Sequence, residues 1–152
     1  TAPASLLAYL VLYSISNLTV FAAFTALPGR EHIDDFAGAA RRHPWLTATL
    51  AIGALSLVGT PPTAVFFGKL AVFTSTWDGG LVWLVVVAAI NTVVSLFYYL
   101  RLFTGPFRAA PEGRSGPAFP AAPTSVQATA LVLAAAVLLS GFVAVAIAPS
   151  LI

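Results

Sequence analysis

The chain has 152 residues, 59% of them hydrophobic and 8% charged, with seven Lys and Arg against five Asp and Glu for a formal net charge of +2. A soluble domain carries about a quarter of its residues as charges, so this composition and a mean hydropathy of +0.95 put the chain in a lipid bilayer, and its scattered basic residues exclude a nucleic-acid surface. With no cysteine and two separated histidines there is no disulfide framework, thiolate metal site, Fe–S ligand set or haem cage, so no metal site is expected and any redox chemistry belongs to a partner.

The chain begins Thr1-Ala2-Pro3 with no initiator methionine, basic leader or signal-cleavage pattern, which predicts a fragment of a longer membrane protein. A transmembrane helix needs about 20 mostly apolar residues, and 5–26 supplies them without a charge. Its polar residues Tyr9, Tyr13 and Asn17 recur every fourth position with Ser16 beside them. They form one stripe facing away from lipid, read first as interhelical packing and second as a hydrated path.

Residues 27–44 hold Arg30, Glu31, Asp34, Asp35, Arg41 and Arg42, half of the charged residues in the chain, together with His32 and His43. Ile33, Phe36, Ala37 and Ala40 fall at helical spacing, with acids early, arginines late and Pro44 at the end. A short helix lying at the interface is expected. A proton relay through the Asp34-Asp35 pair and the histidines is the sharper alternative to a solvated loop, which charged segments at a membrane face usually are.

As one straight helix, the 32 residues of 45–76 would reach about 48 Å, beyond the ~30 Å hydrocarbon core. Pro61 and Pro62 each lack an N–H and clash with the preceding turn, so the helix is expected to break over Gly59–Thr63 and resume. A break at membrane depth is tolerated only when it is buried in protein or lines a wet cavity. The Asp78-Gly79-Gly80 turn, between Trp77 and Trp83, suits an interface.

Residues 81–103 form the next predicted span, with Asn91, Ser95 and Tyr98 on one face and Arg101 snorkelling near its end. Five prolines and three glycines make 104–124 an extended connection. The last span, 125–148, opens with the capping-box pattern Thr124 to Gln127, and its Ala134, Ala135, Ala136, Ser140 and Gly141 suit close helix packing. The expected fold class is therefore an all-α membrane protein with four transmembrane helices, the second discontinuous at Gly59–Thr63. Arginines in 27–44 and 104–124 predict that both loops are cytoplasmic and both ends of the chain outside.

Lys69 is the only lysine in the chain. It lies eight residues inward of Trp77, about 12 Å at helical rise, and helical side chains lean toward their own N-terminus, which points it at the break. Loss of water and the dipole of the second half-helix work against its ammonium, whereas carbonyls freed at the end of the first half-helix work for it. A lysine between opposing influences changes protonation with its neighbours, as a proton carrier must.

The run Leu57-Val58-Gly59-Thr60-Pro61-Pro62-Thr63-Ala64-Val65-Phe66-Phe67-Gly68-Lys69 closely resembles the broken-helix motif of the antiporter-like membrane subunits of respiratory complex I, with Thr60 for the usual isoleucine and Val65 for the usual glycine. Asn91-Thr92-Val93-Val94-Ser95-Leu96-Phe97-Tyr98-Tyr99-Leu100-Arg101 is similar to a stretch of the subunit N branch, the quinone-side member of that group. The resemblance implies the last four helices of a proton-pumping subunit of NADH:quinone oxidoreductase (a translocase) in the cell inner (plasma) membrane. It implies no cofactor in this chain, with NADH, FMN, Fe–S clusters and quinone in partner subunits, and the other membrane and peripheral subunits of complex I and the lipid bilayer as partners. The family's titratable residue carries over onto Lys69, while Asn91, Ser95, Tyr98, Tyr13 and Asn17 are candidates for a polar path. The family's glutamate and lysines on earlier helices have no counterparts here. The alternatives are a subunit of a multisubunit cation/proton antiporter and a structural scaffold that does not pump.

Overall fold

The computed structural model describes residues 2–27, 36–109 and 122–147. Among them there are helices and no strands: α1 Ala2–Ala26, α2 Ala39–Arg42, α3 Pro44–Val58, α4 Ala64–Asp78, α5 Val82–Thr104 with a 3-10 turn at Gly105–Phe107, and α6 Thr124–Ile147. Three stretches are long and apolar enough to cross a membrane: Leu6–Ala26, Val82–Phe107 and Thr124–Ala146. The shorter Pro44–Val58 is also apolar; its 15 residues rise only about 22 Å. Several hydroxyls inside these helices return their hydrogen to the preceding turn, as Thr19 does to the Ile15 carbonyl at 2.8 Å and Thr92 to the Ala88 carbonyl at 2.9 Å, and so sit in an apolar phase with their donor satisfied. The buried Thr47 hydroxyl of α3 has no partner among the described residues.

The helix α1 is the hub, packed against α3, α4 and α6, and α5 lies against α3 and α4. Close approach depends on small residues. Gly53 of α3 lets Val20 of α1 approach, for a β-carbon at 53 would stand 2.7 Å from a Val20 methyl. Ser16 and Ser56 share a buried hydrogen bond of 2.7 Å between the same two helices. Ser16 therefore works as packing polarity. Around it Val20, Ala23, Leu50 and Leu57 form one buried cluster, and Ala26, Leu27, Phe36, Leu46, Ala122 and Ala130 form a second at the other end of α1. By contrast α5 is exposed along Val86, Ile90, Val93, Val94 and Phe97, the surface a span turns toward lipid or a neighbouring subunit.

Two local expectations are corrected. Among the described residues of 27–44 the helix is the four residues of α2, and Gly38 at φ 78 keeps it from running back through Phe36 and Ala37. Ile33, Arg30, Glu31, His32, Asp34 and Asp35 lie outside the described residues, as does most of the proline-rich connection. At the start of α6 no capping box forms: the Pro123 carbonyl accepts from the Val126 and Gln127 N–H groups, and the Gln127 side-chain amide donates to the Ala122 carbonyl at 2.8 Å.

Between α3 and α4 the chain leaves helical geometry over residues 59–63, and α6 presses on that interval through Gly141. A β-carbon at 141 would run into the Pro62 carbonyl oxygen and stand 3.2 Å from the Thr63 α-carbon, so backbone must move to admit it. Gly141→Ala is expected to lower the stability of the detergent-purified protein by about 1–3 kcal/mol, read as a lower thermal midpoint. Ala135→Leu, on the exposed face of the same helix, is expected to leave the midpoint unchanged.

Candidate functional site

The last four carbonyls of any α-helix lack intrahelical partners, and at the end of α3 these are Leu55, Ser56, Leu57 and Val58. Gly59 takes the left-handed conformation, φ 80 and ψ 51. Its N–H donates to the Ser56 carbonyl at 2.9 Å and to that of Leu55 at 3.2 Å, and the Thr60 N–H also donates to Leu55 at 3.2 Å. This is a Schellman cap, which satisfies the first two carbonyls. The Thr60 hydroxyl adds a further bond to Leu55 at 3.1 Å. Leu57 and Val58 remain, and the Lys69 amine supplies both, donating at 3.3 Å and 2.9 Å.

The helix α4 delivers that amine. Thr63 is extended, φ −73 and ψ 146, after the Pro61-Pro62 pair, whose peptide bond is cis. The Thr63 hydroxyl is occupied by the Thr60 carbonyl at 2.7 Å. From Ala64 the chain is helical again, and the side chain of Lys69 runs back along α4 to the end of α3. It crosses Gly59 closely: a β-carbon there would lie 3.1 Å from Lys69 Cδ and 3.3 Å from Nζ. Gly59 is thus required for its backbone and for the room it leaves. At the position just before Lys69, Gly68 admits Tyr9 of α1, whose ring would stand 3.1 Å from a β-carbon.

Beyond the amine lies a cavity of about 190 Å³, with Tyr9 and Tyr13 from α1, Lys69 and Phe73 from α4, and Asn91, Thr92, Ser95 and Tyr99 from α5 among its walls. A water takes about 30 Å³ in the liquid, so the space holds several, and hydroxyl and amide groups on α1 and α5, with the Lys69 amine on α4, offer them partners. Tyr9 and Tyr13 lean on one another with ring centroids 5.7 Å apart, and Tyr99 of α5 lines the same cavity.

Of the residues singled out in the sequence, Lys69, Tyr13, Asn91 and Ser95 meet at this cavity. Asn91 lies on its exposed rim. Asn17 does not line it; its amide donates to the Tyr13 carbonyl at 3.1 Å. Tyr98 does not reach it either, and at 67% exposure faces outward. The inward stripe of α5 is Ala88, Thr92, Ser95 and Tyr99, a 4-3-4 spacing centred to one side of Asn91. Taking Asn91 as the centre selects Tyr98, whereas the helical phase places Tyr99 inside. Tyr9 was visible as part of the α1 stripe; Thr92 had no signal beyond its place next to Asn91. The histidine and aspartate relay lies outside the described residues apart from His43, which stands just before α3 with no side-chain bond to the helix end. Among the described residues no group of three or more His, Cys, Asp or Glu could hold a metal ion.

Residues 1–95 match the family model described as NADH:quinone oxidoreductase/Mrp antiporter, TM. The chain is 48% identical to NADH-quinone oxidoreductase subunit N of Mycobacterium sp. (strain JLS), over 92% of this chain and 30% of the relative. It is 47% identical to NADH-quinone oxidoreductase subunit N 1 of Streptomyces griseus, over 90% of this chain and 28% of the relative. A chain in the structure of respiratory complex I from Thermus thermophilus with bound Aureothin matches with a TM-score of 0.72 and 28% identity, covering 93% of this chain and 33% of the other. The chain thus spans about three-tenths of the length of the curated relatives it matches.

Gly59 and Gly80 provide a matched test of the lysine seat, because both have positive φ, +80 and +76, but nothing lies within 4 Å of a β-carbon at Gly80. Gly80→Ala is expected to cost only the backbone penalty of about 1–2 kcal/mol, whereas Gly59→Ala adds the displacement of Lys69. Thermal unfolding of the two variants is expected to show the larger loss at Gly59.

Proposed function

The chain belongs to the NADH:quinone oxidoreductase/Mrp antiporter transmembrane family, and from that membership we propose that it is a proton-translocating segment of a membrane subunit of NADH-quinone oxidoreductase. Its relatives at 48% and 47% identity carry the subunit N name, which favours this reading over a cation/proton antiporter. Redox cofactors are assigned to partner subunits, in keeping with a chain that has no cysteine. The helices α3 and α4 are read as one discontinuous span, the second of four. The start of α3 is tied to the end of α5 through the bond from the Gly38 N–H to the Arg108 carbonyl, and residues 79–81 join the end of α4 to the start of α5. The pair therefore covers the height that α5 crosses alone. With the arginine-bearing loops on the cytoplasmic side, Trp77 and Trp83 mark the outer interface.

The observation that carries the proposal is the position of Lys69, between two carbonyls at the negative end of the α3 dipole and a polar cavity. A protonated amine makes charge-assisted bonds to those carbonyls. After handing a proton to water in the cavity, the neutral amine holds its seat weakly, and its four-carbon stem lets it turn toward Tyr9, Tyr13, Thr92 and Ser95. Reprotonation restores the charge and returns it to the carbonyls. One side chain thereby alternates between two positions according to its proton, which is the requirement for transfer across a barrier inside a membrane.

Proton pumping in inside-out vesicles, normalised to NADH:quinone turnover, tests this role. Lys69→Met also strips the Leu57 and Val58 carbonyls of their donor and so is expected to lower the amount of assembled complex. In the complex that assembles it is expected to cut pumping per turnover at least tenfold, an effect of general acid–base magnitude. Lys69→Arg keeps the charge but cannot release its proton at ordinary pH, so it is expected to lose pumping as well. Full pumping by the Arg variant identifies an electrostatic anchor, and full pumping by both variants identifies a scaffold.

A further inference from the structure

At the end of the bundle opposite Trp77 and Trp83, a concavity of about 500 Å³ opens between α2 and the 3-10 turn after α5, lined by Gly38, Arg41, Arg42, Phe107 and Arg108 among others. Its two walls come from distant parts of the chain and are fastened by the 2.9 Å bond from the Gly38 N–H to the Arg108 carbonyl. Gly105 and Pro106 are buried beneath it, so the wall is built into the fold. Arg41 and Arg42 form the exposed last turn of α2. Arg108 already has a partner, which leaves the first two to face an incoming anion. The one acid among the described residues, Asp78, is at the far end of α4.

The height of this concavity identifies its surroundings. Trp45, next to α2, is 75% exposed, and Phe107 on the opposite wall is 58% exposed. Both sit where apolar spans end, the level at which aromatic rings meet the headgroups. Toward the same end α5 exposes Val93, Val94, Phe97 and Leu100, apolar surface along which an acyl chain can lie. Guanidinium groups are matched to phosphate oxygens by their planar fork, and basic pockets between spans on the cytoplasmic side take anionic headgroups. We infer that Arg41 and Arg42 bind the phosphodiester headgroup of an anionic phospholipid in the concavity between α2 and the end of α5. Held there, the lipid bridges the loop that leads into α3 and the end of α5, and so ties together two helices that farther along meet Lys69 and its cavity.

The test uses the whole membrane assembly in phosphatidylcholine nanodiscs containing phosphatidylglycerol with a photoreactive group in its headgroup, with cross-linked peptides mapped by mass spectrometry. Labelling is expected within 38–45 or 105–109, displaced by excess phosphatidylglycerol and not by phosphatidylcholine or inorganic phosphate. At about 1 kcal/mol per basic residue near a charged surface, the R41Q/R42Q variant is expected to bind about thirtyfold more weakly. The R41K/R42K variant, tested beside it, keeps the charge and retains most of the labelling. Labelling of the wild type elsewhere, or equal labelling of R41Q/R42Q, overturns the inference. Displacement by inorganic phosphate reassigns the site to a free anion. Loss of a neighbouring subunit from R41Q/R42Q, with labelling unchanged in the remaining assembly, reassigns it to a protein contact.

Discussion

A helix that ends inside a bilayer leaves carbonyls for which lipid offers no donor, and each one left unpaired costs several kcal/mol. With α3 and α4 read as one discontinuous span, as proposed above, the end of α3 meets that requirement in two ways. Backbone N–H groups of Gly59 and Thr60 satisfy Leu55 and Ser56, and the side chain of Lys69 satisfies Leu57 and Val58. The second arrangement ties structure to chemistry, because its donor is titratable. A neutral donor such as an asparagine amide would close the helix equally well and could not carry a proton.

The rest of the bundle keeps this seat in place. The helix α1 is held to α3 by the Ser16–Ser56 bond and by Val20 against Gly53, and to α4 by Tyr9 against Gly68. Gly141 of α6 lies against the non-helical interval from the other side. These are backbone approaches made through residues without bulk, the means by which membrane helices pack when the surrounding phase is as apolar as their own side chains. Each fixes one wall of the interval between α3 and α4, so the Lys69 amine has a defined seat.

Local features of this arrangement were legible in the sequence. Two adjacent prolines disrupt a helix whatever surrounds them, and the lean of helical side chains gives the direction of Lys69 from its position alone. Features that depend on helix rotation and partner identity were not. The choice of Tyr98 over Tyr99 turns on one residue step, 100° of helical phase, and α5 is apolar nearly all round, so no amphipathic pattern fixes its inward face. The apolar period read in 27–44 runs through Gly38, whose left-handed backbone a reading of side-chain spacing does not register. The Leu57 and Val58 carbonyls are invisible to any reading of side chains, since every residue carries a carbonyl and only the fold decides which ones are left over.

The central claim is that the Lys69 amine rests on the carbonyl end of α3 within the membrane. Solid-state NMR of the bilayer-embedded assembly, with ¹⁵N in the lysine side chain and ¹³C at the Val58 carbonyl, measures it directly. From an N···O distance of 2.9 Å and a C=O bond of about 1.2 Å, the account predicts an N···C separation of roughly 3–4 Å. A separation about twice that, with the amine dipolar-coupled to lipid headgroup phosphorus, would contradict it.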